Sequence, residues 1–202
     1  MKNWQKYKVW LSRLGTLFLV LFAIVVFYRY YILEREKQTA DVVARIHSTK
    51  LTMDDVLGTN LPPAPSNPDA TVAGVDANRN GIRDDVELAI FEAYPESAKT
   101  RAALLQYALA LQMETTQNLV NEGIVIAAVQ EESRAYLCVG KIVNKDDMQK
   151  YIEKVTGLRE FVEKEQLDTD QRVNFRDEFY KNIGSHESLQ TTCDIDLNTL
   201  SN

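Results

Sequence analysis

Apolar and polar positions divide this chain into three stretches of different rhythm. Residues 14–28, LGTLFLVLFAIVVFY, carry no charge, and YYIL at 30–33 extends the apolar character past Arg29. From 34 to 75 the pattern breaks down, and only Val42, Val43 and Ile46 cluster. From Asp84 onward apolar residues return every three to four positions, the repeat of a helix with one buried face. Val86, Ile90 and Tyr94 mark a first helix, flanked by Ala89 and Ala93, and Pro95 ends it or starts the next. Leu104, Leu105, Ala108, Leu111 and Met113 form a broad stripe on a second. The third, IVIAAVQEESRAYLCVGKIV, is apolar nearly all round at its start, which predicts the central position. Ile152, Val155, Leu158 and Val162 give a fourth its inner face, and QRVNFRDEFYKNI a fifth that stops at Gly184. Asn144 with Asp147, and Asp168 with Gln171, read as the caps of these last two. No segment alternates with period two, so the fold class is all-α: an N-terminal membrane helix, a proline-rich linker and a bundle of about five helices.

The first stretch decides location. Fifteen residues span only ~22 Å as a helix. Counted from Trp10 to Tyr31, with Arg13 and Arg29 snorkelling outward, the segment matches the ~30 Å of a bilayer core. Trp10 at one end and Tyr28, Tyr30 and Tyr31 at the other suit the two interfaces. A cleaved signal peptide shares the basic start and apolar middle, but Arg29, Tyr30 and Tyr31 stand where a cleavage site needs small residues. The expectation is an uncleaved signal anchor over 14–33. Basic residues before the span keep the tail, 1–13, in the cytoplasm and send the body outward. In a bacterium that is a single pass of the inner membrane with a periplasmic C-terminal domain.

Between anchor and bundle, 34–57 reads as a juxtamembrane helical segment with little to pack against, ending in a short turn capped by Thr52. Residues 58–75 hold four of the five prolines and read as an extended linker. Its LPPAP could instead dock an aromatic groove. The helical domain then occupies 84–202.

Charge narrows the partners. Residues 1–33 hold Lys2, Lys6, Lys8, Arg13 and Arg29 and no acid, so the remaining body has 18 basic and 29 acidic residues, a net charge of −11. That excludes nucleic acid, which needs a basic face, and suits divalent cations or a basic protein. The two cysteines, Cys138 and Cys193, lie in the exported part and outside any CxxC. An oxidising compartment makes them a candidate disulfide, with two separate buried thiols as the alternative.

One segment carries candidate chemistry. In VDANRNGIRDDVE, residues 75–87, side-chain oxygens stand at every second position and a glycine follows. Calcium takes six to eight oxygens, and a single loop supplies most of them from positions 1, 3, 5, 7, 9 and 12, with glycine at 6. Here those positions are Asp76, Asn78, Asn80, Ile82 (through its carbonyl), Asp84 and Glu87, and Gly81 is sixth. The segment resembles the EF-hand-like DxDxDG loops of dockerins and thrombospondin type 3 repeats over residues 76–87 alone. That resemblance implies bound Ca2+ and says nothing of the helices. Arg83 stands eighth where an aliphatic residue is usual, and two amides replace carboxylates, which predicts affinity toward 10⁻⁴–10⁻³ M and a structural clamp. Without a metal the same residues read as a polar turn opening a helix. Asp194, Asp196 and Asn198 make a weaker second candidate that lacks the glycine.

Catalytic patterns are missing: there is no HExxH, GxSxG, phosphate loop or dinucleotide turn. His47 and His186 read as surface residues, as do the pairs Glu131-Glu132 and Asp146-Asp147. The expected role is therefore non-enzymatic, an interaction or scaffold component of the bacterial envelope. The alternative is a periplasmic immunity or inhibitor protein against a basic toxin enzyme.

Overall fold

The computed structural model describes residues 2–189 and 191–201. Met1, Gln190, Asn202 and the side chains of Lys2, Asn3, Gln5 and Val9 lie outside the described residues, so Lys2's part in orienting the anchor does too. Among the described residues seven α-helices follow in order: α1 (Lys2–Ser48), α2 (Met53–Leu57), α3 (Asp84–Ala93), α4 (Ala98–Thr115), α5 (Glu122–Lys141), α6 (Met148–Gln166) and α7 (Asp170–Tyr180). A 3-10 turn at Leu197–Thr199 completes them, and no strand occurs among the described residues.

The chain forms two compact units, Met1–Asp41 and Val42–Asn202. In the first, α1 is long and apolar enough to cross a membrane. Its backbone hydrogen bonds are internal to the helix, as a lipid-facing segment requires. Leu14, Leu17, Phe18, Phe22, Ile24 and Phe27 are all exposed along it.

In the second unit, α4 touches α2, α3, α5, α6 and α7, so it and not α5 is the central helix. The expected stripe is there, with Leu104, Leu105, Ala108 and Leu111 sealed from solvent. Burial nevertheless runs round the whole circumference and takes in Gln106, Gln112 and Glu114, whose polar atoms find partners on other segments. On α6, Val155, Leu158 and Val162 point inward, but Ile152 is 51% exposed.

Several local expectations meet a different outcome in the fold. Asp147 alone caps α6, accepting from the amides of Gln149 and Lys150, while Asn144 accepts from Asp146 N. Thr169 caps α7, because the Asp168 carboxylate is drawn to Arg83 and Arg172. That helix ends at Tyr180, four residues before Gly184. Thr52 does cap α2, in a reciprocal box with Asp55. Val42, Val43 and Ile46 do pack: Ile46 is 2% exposed and the two valines lean on the same core.

Residues 58–75 contain no helix, as their prolines require. They are also not free. Arg172 on α7, 1% exposed, donates to the carbonyls of Pro68 and Val72 at 2.8 and 3.0 Å and pairs with Asp69 at 2.7 Å. Gln112 adds a bond to the Ala73 carbonyl at 2.6 Å. Gly74, at φ +70°, sits so close to Arg83 that a Cβ would meet its Cδ at 2.3 Å. The two cysteines are joined, closing a loop of 55 residues between α5 and the C-terminal tail.

Candidate metal site

The loop is built by its own short polar side chains. Asp76 accepts from the amides of Asn80 (3.2 Å) and Gly81 (3.0 Å), Asn80 Oδ1 from Ile82 N (2.9 Å), and Asp84 from Ala77 N (2.9 Å). Such side-chain-to-backbone bonds turn the chain without a regular element. Arg79 at φ 60° and Gly81 at φ +86° take the left-handed conformations that the tight reversal needs. The Asp84 amide closes the loop on the Val75 carbonyl at 2.8 Å and starts α3.

One turn into α3, Glu87 comes back over the loop. Its two carboxylate oxygens accept from Asn78 Nδ2 (3.0 Å) and Asn80 Nδ2 (3.1 Å). Five of the six predicted donor residues, Asp76, Asn78, Asn80, Asp84 and Glu87, therefore belong to one hydrogen-bonded cluster around the loop. The sixth, Ile82, lies in the same turn with its side chain fully buried in the core, which suits a position offering only its carbonyl. Arg83, also fully buried, points the other way, pairing with Asp85 (2.6 Å) and Asp168 (2.9 Å) and donating to the Glu165 carbonyl. Its charge is spent on Asp85 of α3 and on Asp168 between α6 and α7.

The structure adds a residue that the spacing alone could not supply. Asp55, on α2, accepts from Asn80 Nδ2 at 3.2 Å through Oδ1, while its other oxygen serves the Thr52 cap. Asn78 Nδ2 also reaches the Asn60 carbonyl at 3.0 Å. In sequence, Asp54-Asp55 reads only as a helix start.

Electrostatics within the cluster are unfavourable for protein groups alone. Burial pushes the Glu87 carboxyl up to about 7; the Asn78 and Asn80 amides oppose this and the charges of Asp55 and Asp84 add to it. Asp84 is likewise raised, first by burial and then, against its bond from Ala77, by Asp76 and Asp85. Among the described residues no three His, Cys, Asp or Glu side chains stand close enough to hold a metal ion by themselves. A calcium loop does not require that, since amide and carbonyl oxygens and water complete its shell. The donors fit a hard cation: all can present oxygen, and for Asn78 and Asn80 a turn of the amide exchanges nitrogen for oxygen.

The other candidates resolve into structure. Asp194 is paired with Arg134 and Asp196 caps Asn198 N, so the tail acids do not form a second loop. Glu131 is 2% exposed and anchors Lys50, Arg134 and His47, contrary to a surface reading. His186 is exposed.

Fold and site together describe a helical body bearing one apolar anchor-like helix and one acidic loop. In comparisons with known proteins, the chain matches no family model, no curated protein and no solved structure.

Proposed function

We propose that this is a single-pass envelope protein of a bacterial inner membrane, with its N-terminus in the cytoplasm. Its periplasmic helical body binds Ca2+ at residues 76–87 as a structural clamp and works without catalysis, holding another envelope component. The observation that carries the calcium reading is Glu87: a carboxylate 1% exposed, facing further acids and two amides. A divalent cation there would reverse the repulsion and tie α3 to the loop. The acidic body favours a basic partner surface.

The test is calorimetric titration of the full chain in non-ionic detergent, with melting curves in calcium and in chelator. One site is expected, with Kd of about 0.1–1 mM. At 1 mM calcium and the tighter limit, linkage contributes about 1.4 kcal/mol, a rise of roughly 3–6 °C for a domain of this size. Asp76→Ala and Glu87→Ala should each abolish both signals. Absence of heat and of any melting shift up to several millimolar would leave the loop as a helix-opening turn and remove the clamp.

A further inference from the structure

We propose that the Cys138–Cys193 disulfide is a redox-sensitive latch. While oxidised it holds the Asp194 carboxylate as the counter-ion that fastens residues 47–51 to α5. Reduction by a dithiol, admitted through the cleft at Cys193, releases that segment.

The helical repeat of α5 puts Glu131, Arg134 and Cys138 on one face. The bond brings the Cys193 Cα to 5.1 Å from that of Cys138, and the next residue, Asp194, falls against Arg134 with Oδ1 2.6 Å from Nη1. Its other oxygen accepts the Leu51 amide at 3.0 Å. Lys50 Nζ lies 2.9 Å from Glu131 Oε2 and 4.0 Å from Asp194 Oδ1, and His47 Nδ1 lies 2.9 Å from Glu131 Oε1. Gln106 of α4 grips the tail on both sides of Cys193, donating to the Thr192 carbonyl and accepting from the Asp194 amide.

Two carboxylates thus face two permanent cations, and the side chains of Glu131, Arg134 and Asp194 are each no more than 3% exposed. If Asp194 leaves, Arg134 and Lys50 share the single charge of Glu131, and the amide of Leu51, a residue 5% exposed, loses its acceptor. Removing one member of a buried ion pair leaves the other uncompensated, which is costly. The tail and the 47–51 segment are therefore held or released together.

Access to the bond is one-sided. Cys138 is 1% exposed, whereas Cys193 is half-buried on the wall of an open cleft of about 650 Å3, beside Lys99, Lys141, Thr191 and Thr192. The two lysines favour the approach of a thiolate. A dithiol thiolate attacks Cys193 Sγ, forms a mixed disulfide and expels Cys138 as thiolate. The second thiol of the reductant then closes on its own sulfur in the mixed disulfide and frees Cys193. Two electrons pass from the dithiol, which ends as a disulfide, and its two protons end on the two cysteine sulfurs.

The test is limited trypsin digestion of the full chain in non-ionic detergent, with cleavage after Lys50 followed by mass spectrometry. Oxidised protein should be cut slowly there. Reduction with dithiothreitol should accelerate that cut roughly tenfold or more, the scale of losing one buried polar partner, while cuts within α6 at Lys154 and Arg159 stay slow. Asp194→Ala, with the disulfide intact, should reproduce the selective acceleration without reductant. Unchanged cleavage after Lys50 in that variant overturns the latch. So does unchanged cleavage in fully reduced wild type. If reduction accelerates every site equally, the oxidised Asp194→Ala variant decides: selective cutting supports the latch and uniform or unchanged cutting refutes it.

Discussion

Glu114→Gln should stabilise this protein at alkaline pH and do nothing at acid pH. Glu114 ends α4 fully buried, with Oε2 2.7 Å from Arg176 Nε and Oε1 2.8 Å from the Tyr180 hydroxyl. The same hydroxyl lies 2.8 Å from Glu132 Oε2. A phenol has one proton to give, so two such contacts call for a second proton on one of the carboxyls. Glu114 is the more buried, and burial, helped by the Glu132 charge and opposed by Arg176, pushes it up to about 7 from 4.5. Below 4.5 both folded and unfolded chains hold this proton and nothing is lost. As pH rises the unfolded chain releases it first, so stability falls, and above 7 the whole penalty applies. That interval is worth about 3 kcal/mol, or roughly 6–12 °C for a domain of this size. Glutamine mimics the protonated acid and escapes the penalty. The assay is melting of wild type and variant in detergent from pH 4.5 to 8.5, in constant chelator so that the acidic loop contributes equally to both. A variant melting at or below wild type at pH 8, or separated from it by a gap independent of pH, would refute the reasoning.

Two further outcomes follow from groups already described. Arg172→Met removes the side chain that holds the Pro68 and Val72 carbonyls, and because Asp69 and Asp168 keep some solvent the cost should be about 2–3 kcal/mol, below that of a fully buried pair. Hydrogen exchange at Gly74, whose amide is bonded to Thr71, should quicken while α5 keeps its protection; equal loss everywhere would show that Arg172 serves the whole core. A reporter enzyme that folds only with disulfides, fused after residue 202, should be active in growing bacteria, and activity confined to a cytoplasm-folding reporter would reverse the proposed orientation.

The five-helix body and the cysteine pairing were legible because both depend on residue type. Apolar period marks helices almost wherever it falls, and two cysteines within one helical body leave few alternatives. What stayed hidden depends on who meets whom. Glu131 read as solvated charge, and Arg134 and Arg172 drew no notice, since nothing local distinguishes a charge that will find a buried partner many residues away. The stripe on α4 understated its burial for the same reason: Gln106, Gln112 and Glu114 look like a wet face until Thr192, Ala73 and Arg176 arrive to satisfy them. Asp168 looked like a cap and became a counter-ion for two arginines, leaving the cap to Thr169. At the loop, positions 76–87 could be aligned by count, but Asp55 could join them only through the fold.

The full enclosure of α4 bears on how the chain is sorted during synthesis. It emerges after α1 and before α5, α6 and α7, so for a time a mostly apolar helix of 18 residues stands uncovered. Its length is close to that of a lipid-crossing helix. Yet α1 alone, among the described helices, has the composition to cross. Lys99, Arg101 and Glu114 towards its ends, with Gln106 and Gln112 further in, supply the difference. The groups that complicate the interior of the finished domain thus also lower the tendency of α4 to enter a bilayer on its own.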